Sequence, residues 1–244
     1  GETEGVFQLE SSGMKQVLVG LQPQNLEDVI ALISLYRPGP MDSIPTYLRN
    51  RHEPDKISYK TPQLAHILDV TNGCIVYQEQ VMQIFRELAG FSFGQADNVR
   101  RAMSKKKHAV MEAEREHFVH GCTEPGHECP GCVANGISEK VANEIYDEMS
   151  SFASYAFNKS HAACYAYVAF QTAYLKCHYP SEFMAALLTS VLDNTDKVIE
   201  YSGECARLGI KVLPPDVNIS NGGFTADNGK IRFGLNAVKN VGRN

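Results

Sequence analysis

The stretch ISEKVANEIYDEMSSF, residues 137–152, decides the fold class that this sequence indicates. Its apolar side chains recur every three or four positions, as Ile137, Val141, Ile145, Met149 and Phe152. This spacing places them on one face of an α-helix, opposite a polar and largely acidic face. The stretch therefore predicts a long amphipathic helix with one side buried in a core.

Further helices are predicted on both sides of this stretch. They cover about 26–37, 81–89, 94–105, 160–179, 181–192 and 198–208. Asn25 is a typical N-cap for the first of them, and Pro180 has a first-turn position. Gly90 and Gly209 are typical helix stops, because glycine readily adopts the left-handed backbone of a C-cap.

The character of the sequence changes after the last of these helices. Ile210–Leu213 is a candidate strand. Asp227-Asn228-Gly229 is a hairpin signal between the short runs Thr225–Ala226 and Lys230–Phe233. A small strand-containing segment is therefore expected at the end of the chain.

The composition is that of an ordinary soluble globular protein. The 244 residues are 43% hydrophobic and carry 23 basic against 28 acidic side chains, a net charge of −5. We predict a mainly α fold, with a multi-helix domain over 1–209 and a small mixed α/β segment over 210–244. Because the chain is acidic overall, a polyanion has to be bound by a local cluster of basic groups.

Cysteine usage and hydropathy suggest a location. Seven cysteines are too few for a disulfide scaffold and suit a reduced, cytoplasmic interior. No apolar run approaches the roughly 18 residues of a membrane span, and no signal peptide opens the chain. The chain begins at Gly1 within what reads as folded sequence and ends at Asn244 in mid-pattern. We expect a cytoplasmic protein with no membrane partner, and a chain that is a piece of something longer.

Residues 100–108, here called the basic segment, contain five permanent cations and no acidic side chain. On a helix, Arg100 and Lys107 share one face, with Arg101 and Lys105 beside them. One interpretation is a solvated surface face, although such faces usually mix charges of both signs and this run has no partner within its own turns. The other is phosphate binding, because paired arginines suit bidentate contacts with phosphate oxygens.

A second constellation, FNKSHAACY at 157–165, places an amide, an ammonium group, a hydroxyl and an imidazole in four successive positions. These positions lie at a predicted helix start, where free backbone N–H groups favour anions. Alternatively, Asn158 or Ser160 is simply the N-cap and His161 an ordinary core histidine. Ser160 and His161 are not a nucleophile and its base, since adjacent helical residues point about 100° apart.

A Gly/Pro-rich loop at 120–136 carries the third constellation. Its cysteines and the neighbouring histidines are His117, His120, Cys122, His127, Cys129 and Cys132. Such spacings can hold zinc, but the second C-x-x-C of a standard zinc ribbon is absent. A redox pair at Cys129 and Cys132 lacks the surrounding βαβ pattern. We therefore predict a surface loop without metal; Cys122, Cys129, Cys132 and His127 would be the ligands of a zinc ion.

Longer motifs then carry a resemblance to a known family. In chain order they are GVFQLES (5–11), YRPGPM (36–41), IVYQEQVM (75–82), RRAM (100–103), FNKSHAA (157–163), QTAYLK (171–176), YPSEFMAA (179–186) and GIKVLPPD (209–216). The sequence resembles the alpha subunit of bacterial DNA polymerase III, the C-family replicative polymerase. The resemblance covers nearly the whole chain and implies its fingers domain, together with the beginning of the next region of that polymerase.

The resemblance implies DNA-templated nucleotidyl transfer, in which palm aspartates hold two Mg²⁺ ions. The short D-x-D pattern of such aspartates is absent, and Asp42, Asp97 and Asp216 are interpreted as turn or cap residues. We therefore expect no catalytic residue in this chain, no activity without the palm, and Mg²⁺ as the cofactor of the full polymerase.

The family motifs also imply roles for individual residues. Triphosphate contacts would come from Arg100, Arg101, Lys105 and Lys107, and contacts to the incoming nucleotide from Asn158, Ser160 and His161, with Tyr165 below. Gln78 and Gln80 would face the template or the nascent pair. The implied partners are deoxynucleoside triphosphate, primer–template DNA and other replicase subunits.

Two other functions fit the same residues. One is a non-catalytic helical module that binds nucleic acid through the basic segment. The other is an interaction domain stabilised by zinc. A free-standing enzyme is disfavoured, because the sequence offers no complete acid–base or nucleophile set.

Overall fold

The computed structural model describes residues 1–105, 108–153 and 155–241. The α-helices within these residues are α1 (Ser12–Leu21), α2 (Leu26–Leu35), α3 (Ile44–His52), α4 (Ala65–Leu68), α5 (Gln78–Ala89), α6 (Phe93–Ser104), α7 (His108–His120), α8 (Gly131–Ala134), α9 (Glu139–Ala153), α10 (Lys159–His178), α11 (Pro180–Ser190) and α12 (Thr195–Arg207). The predicted mainly α class is confirmed. Of the described helices, none is both long enough and apolar enough to cross a membrane.

The start and stop residues behave as their chemistry predicts. The Asn25 side chain accepts a hydrogen bond from the backbone N–H of Asp28 at 2.9 Å and so caps α2. Gly90 ends α5 with a left-handed φ of 74°. Pro180 occupies the first turn of α11, where its missing N–H costs nothing.

By its internal contacts the chain divides into two compact units. The first, called the split unit, comprises Gly1–Val19 and Tyr167–Asn244; the second, called the central unit, comprises Gly20–Ala166. The division into a helical domain over 1–209 and a small mixed segment over 210–244 stays a prediction.

The central unit is built around aromatic side chains of α5, α7 and α9. Phe85 is fully buried, and its ring centre lies 5.0 Å from that of Phe118 and 5.9 Å from that of Tyr146. Both pairs are edge-to-face, a favourable geometry for aromatic rings. The Tyr146 hydroxyl donates to the Met111 carbonyl at 2.6 Å, so this ring is buried without losing its hydrogen bond. Ile137, Ile145 and Met149 are buried in the same core, so the amphipathic stretch 137–152 has the buried face that its spacing predicts.

The split unit contains the strands β1 (Val212–Leu213), β2 (Thr225–Asp227) and β3 (Lys230–Arg232). β3 lies in the middle, parallel to β1 and antiparallel to β2. The predicted hairpin is confirmed: Asn228 and Gly229 join β2 to β3 with φ values of 49° and 74°.

A buried ion-pair network also lies within the split unit. Lys176 donates to Glu204 at 2.7 Å and to the Glu4 carbonyl at 2.7 Å, and Arg207 donates to the other Glu204 oxygen at 2.7 Å. The side chains of Lys176 and Glu204 are only 7% and 4% exposed. The Arg207 guanidinium, followed by Lys176, lowers the pKa of Glu204 to about 2.

The variant Glu204→Gln should lower the free energy of unfolding by about 3 kcal/mol at pH 7, since it leaves a buried ammonium group without its counter-charge. The stabilisation by Glu204 is complete above its ordinary pKa of 4.5 and is lost as the pH falls through about 2. Urea titrations followed by circular dichroism should therefore show the difference from wild type shrinking below pH 4.5. The control Glu200→Gln, in an exposed pair with Lys197, should change little. An equal effect of the two substitutions would contradict a buried network.

Candidate functional site

A cleft of about 520 Å³ opens in the central unit between α5, α6 and the residues that precede α10. Its walls are formed by Gln78, Glu79, Met82, Gln83, Arg86, Glu87, Phe93, Asp97, Arg100 and Asn158. Two of the predicted constellations, the basic segment and the 157–165 stretch, therefore each contribute a side chain to one cavity.

The start of α10 is fixed to the start of α5 by backbone hydrogen bonds. The N–H of Gln78 donates to the Phe157 carbonyl at 3.0 Å, and the N–H of Phe157 donates to the Val76 carbonyl at 3.3 Å. The amide group of Gln78 also donates to the Ala156 carbonyl at 3.0 Å. Tyr77 and Phe157 thus form a short parallel bridge that holds the two helix starts together.

The carboxylate of Glu79 completes this junction. It accepts from the Lys159 N–H at 3.1 Å and from the Asn158 amide at 3.0 Å. A negative charge at a helix N-terminus is favourable, because the first N–H groups of the helix have no partner within it. Glu79 is therefore a positioning residue that the sequence did not reveal, because its partners lie some 80 positions away.

Asn158 is the N-cap of α10. Its side-chain oxygen accepts from the His161 N–H at 2.9 Å, while its amide points to Glu79. The capping alternative left open by the sequence is therefore correct for Asn158. The residue also lines the cleft, so its exposed side can still meet a ligand.

Arg100 and Arg101 share one carboxylate, that of Asp97. Arg100 donates two hydrogen bonds, of 2.7 and 3.0 Å, to one Asp97 oxygen, and Arg101 donates one of 2.7 Å to the other. The hydrogen bonds from Arg100, and its charge, lower the pKa of the Asp97 carboxyl. Gln78 accepts a further bond from Arg100 at 2.9 Å.

Two expectations about this helix are therefore wrong. The arginines are not unpaired, and Asp97 is neither a turn nor a cap residue but lies within α6. The spacing itself carried the signal, because residues three and four positions after Asp97 share its helix face.

Arg101 and Lys105, on the same basic segment as Arg100, are exposed to solvent. The side chain of Arg101 is 65% exposed, and Lys105 is exposed at the C-cap, where α6 ends. A cation is favoured near a helix C-terminus. Lys107 lies outside the described residues, so its predicted place on the Arg100 face stays a prediction.

His161 and Tyr165 form an aromatic row with Phe157. The His161 ring centre lies 5.2 Å from that of Phe157 and 4.4 Å from that of Tyr165, and the Arg37 guanidinium covers Phe157 at 4.4 Å. His161 and Ser160 are exposed, so His161 is not a core histidine. Neither residue is among those described as lining the cleft.

Gln80 has a structural position. Its carbonyl oxygen accepts from the N–H groups of Val76 and Tyr77 at 2.9 and 3.0 Å. Its amide donates to the Ile67 carbonyl and the Thr71 hydroxyl at 3.0 and 2.7 Å. The residue is 4% exposed. This corrects the expectation that Gln80 faces a template or nascent pair; Gln78, on the cleft wall, keeps that prediction.

The cleft also contains side chains that sequence reasoning missed. The Arg86 guanidinium lies 5.8 Å from the centre of the Phe93 ring, which is 64% exposed. Glu87 accepts from Gln83 at 2.7 Å and also pairs with His66. Local patterns gave no signal for this set, because nothing in the motif around Phe93 shows that it faces α5.

The Cys/His loop presents no metal centre among the described residues, where no group of three or more His, Cys, Asp or Glu side chains is arranged to hold an ion. Cys132 is fully buried, and burial raises its pKa to about 12. The absence of zinc stays a prediction.

The helical fold and the arginine-containing cleft occur in a chain that matches a known family. Residues 1–126, just over half of the chain, match the family model of the bacterial DNA polymerase III alpha subunit finger domain. The chain therefore belongs to this family, and the resemblance read from the motifs is confirmed. A helix-hairpin-helix motif model matches residues 209–244.

Individual relatives agree with this assignment. The chain is 52% identical to the DNA polymerase III subunit alpha of Thermus aquaticus, 48% to that of Bacillus subtilis and 47% to that of Pasteurella multocida. Each alignment covers 99% of this chain but only 19%, 21% and 21% of the respective relative. The chain thus spans about a fifth of the length of these relatives.

The variant Gln80→Ala should destabilise the protein by about 3 kcal/mol, because it leaves several buried hydrogen-bonding groups without a partner. Thermal unfolding followed by circular dichroism measures this loss. The matched control is Gln83→Ala, three residues along the same helix, where the amide bonds to the Glu87 side chain and to no other described residue; it should change stability by less than about 0.5 kcal/mol. Similar melting temperatures for both variants would show that the buried hydrogen bonds of Gln80 do not stabilise the fold.

Proposed function

We propose that this chain is the nucleotide-handling fingers portion of a bacterial replicative DNA polymerase, which positions the incoming deoxynucleoside triphosphate and the template for nucleotidyl transfer. The observation that carries the proposal is the pair of arginines on α6, one on the cleft wall and one exposed beside it, in a chain of the alpha-subunit finger-domain family.

The arginine pair suits a triphosphate for a chemical reason. Guanidinium groups donate hydrogen bonds in a planar fork that matches phosphate oxygens, and they stay charged at any physiological pH. The Asp97 carboxylate holds the guanidinium groups of Arg100 and Arg101 close together and fixes their orientation. A triphosphate oxygen would replace the Asp97 oxygen as the acceptor from the more exposed Arg101, while Gln78 keeps Arg100 in place.

The remaining predicted contacts extend this arrangement. Lys105 and Lys107 would add positive potential at the C-terminal end of α6. Asn158, Ser160 and His161 would meet the nucleotide at the N-terminus of α10, with Tyr165 supporting the imidazole. Gln78 would contact the template or the nascent base pair.

The chemical step would take place outside this chain. The support for this proposal comes from the sequence, which lacks the short D-x-D pattern that the family resemblance implies for the metal-binding aspartates. We propose that Mg²⁺ is bound by carboxylates of another domain of the complete polymerase, where it would align the reacting oxygens. A cytoplasmic location, primer–template DNA and other replicase subunits as partners belong to the same proposal.

A second candidate function is a non-catalytic nucleic-acid-binding module. The helix-hairpin-helix match at 209–244 favours it, because that motif would add DNA contacts independent of the cleft. The two functions differ in their ligand: binding of DNA without any binding of triphosphate would favour the second.

The variant Arg101→Ala should weaken binding of a fluorescent deoxynucleoside triphosphate about tenfold or more. A hydrogen bond to a charged group contributes about 1.5–3 kcal/mol, and about 1.4 kcal/mol is a factor of ten. The melting temperature should stay nearly unchanged, because an exposed ion pair contributes at most about 1 kcal/mol. Wild-type binding should also weaken with added salt.

The control for this measurement is Lys140→Ala, which removes one charge from an exposed lysine on α9. It should leave nucleotide binding within the error of the assay. If Arg101→Ala unfolds the chain while binding per folded molecule is unchanged, Arg101 is structural and the proposed phosphate contact is wrong.

The isolated chain should not extend a primer when supplied with Mg²⁺ and all four nucleotides, because the metal-binding carboxylates are proposed to lie elsewhere. A gel assay on annealed primer–template measures this directly. Extension that survives repurification and is lost on heat denaturation would contradict the assignment of chemistry to another domain.

A further inference from the structure

Cys122 and Cys129 lie directly opposite each other in the loop between α7 and α8. The Cys122 N–H donates to the Cys129 carbonyl at 2.9 Å, and the Cys129 N–H donates to the Cys122 carbonyl at 2.9 Å. They form an isolated antiparallel bridge, and both are free thiols. The proposed nucleotide function makes no use of this pair.

The bridge places the backbones of the two cysteines at a spacing that a disulfide can span. In a reciprocally hydrogen-bonded antiparallel pair the Cα atoms are about 5.5 Å apart and both Cβ atoms point to the same face. Disulfides join Cα atoms separated by about 4.4–6.8 Å. A bond between Cys122 and Cys129 therefore needs side-chain rotation and a backbone shift that brings the two Cβ atoms closer, from the roughly 4.5–5.5 Å of a cross-strand pair to the roughly 3.5–4.5 Å of a disulfide.

Glycines on either side fix this close approach. Gly121 and Gly131 have left-handed φ values of 89° and 78°. A Cβ atom at Gly121 would lie 2.6 Å from the Cys129 carbonyl oxygen, and one at Gly131 would lie 2.3 Å from the Gly121 nitrogen. The backbone geometry that pairs the two cysteines is thus built into the loop.

The environments of the three loop thiols differ. Cys122 is half-buried, Cys129 is 8% exposed and Cys132 is fully buried. Burial raises the pKa of Cys129, and it raises that of Cys132 to about 12. Cys122 is therefore the thiol of the loop that is most accessible to reagents in solution. The cysteine directly opposite it in the antiparallel bridge is Cys129.

We propose that Cys122 and Cys129 are a thiol–disulfide exchange site, which closes an intraloop disulfide on reaction with a low-molecular-weight disulfide such as oxidised glutathione. The Cys122 thiolate attacks one glutathione sulfur, forms a mixed disulfide and releases one glutathione thiol. The Cys129 thiol then loses its proton and attacks the Cys122 sulfur, which releases the second glutathione. Two protein thiols are oxidised, and one glutathione disulfide is reduced to two thiols.

Mass spectrometry of the folded chain tests this proposal. The protein is incubated with oxidised glutathione, its remaining thiols are blocked with N-ethylmaleimide, and it is digested after glutamate. Cleavage after Glu128 places Cys122 on one peptide and Cys129 with Cys132 on the next. The expected product is a pair of peptides held together by a disulfide, and dithiothreitol separates them. A bond confined to the second peptide, or glutathione retained on Cys122, would overturn the proposal.

Two variants assign the partner, in a background with the exposed Cys164 and Cys177 changed to Ser to suppress reaction elsewhere. Cys132→Ser should leave the cross-linked peptides unchanged, whereas Cys129→Ser should abolish them and leave glutathione on Cys122. Loss of the cross-link in Cys132→Ser, with a circular dichroism spectrum that matches wild type, would show that Cys122 pairs with Cys132 and would contradict the proposed site.

Discussion

The junction between the first turn of α5 and the N-terminus of α10 is the contact on which the candidate site depends. Backbone bonds between Gln78 and Phe157 join segments about 80 residues apart, and the Glu79 carboxylate binds the first N–H of the helix together with the Asn158 amide. Opposite charge at a helix end favours this arrangement without any need for apolar burial. Because α5 also forms one wall of the cleft, the junction sets the distance between Asn158 and the arginine side of the cavity.

The second constraint is electrostatic and lies within a single helix. Asp97 accepts hydrogen bonds from both Arg100 and Arg101, and the hydrogen bonds from Arg100 lower the pKa of its carboxyl. Two guanidinium groups that would otherwise repel each other are therefore held side by side. In the proposed triphosphate complex Arg100 stays held by Asp97 and Gln78, so the ordering cost of this side chain is met before a ligand arrives.

Local sequence patterns predicted α2, α5, α6, α9, α10, α11 and α12, because caps and apolar periodicity act within a few residues, but they did not predict α1, α3, α4, α7 or α8. Asn25, Gly90 and the Asn228-Gly229 turn all behave as predicted. The Asp97 pairing was also within reach of the sequence, since it follows from helical spacing. The burial of Gln80 was not, because its amide donates to the Ile67 carbonyl and the Thr71 hydroxyl, and these partners are brought to α5 by the packing of a distant segment. The parallel bridge at Phe157 escaped prediction for the same reason: no local propensity specifies a partner so distant in sequence.

The arginine pair on α6 is proposed to bind the triphosphate, and a crystal structure of the chain with a non-hydrolysable deoxynucleoside triphosphate is the sharpest test. Phosphate oxygens are expected within hydrogen-bonding distance of Arg100 and Arg101, with Arg101 turned away from Asp97 and the nucleotide in the cleft beside Gln78. A triphosphate bound on another surface, with both arginines still paired to Asp97, would contradict the proposal.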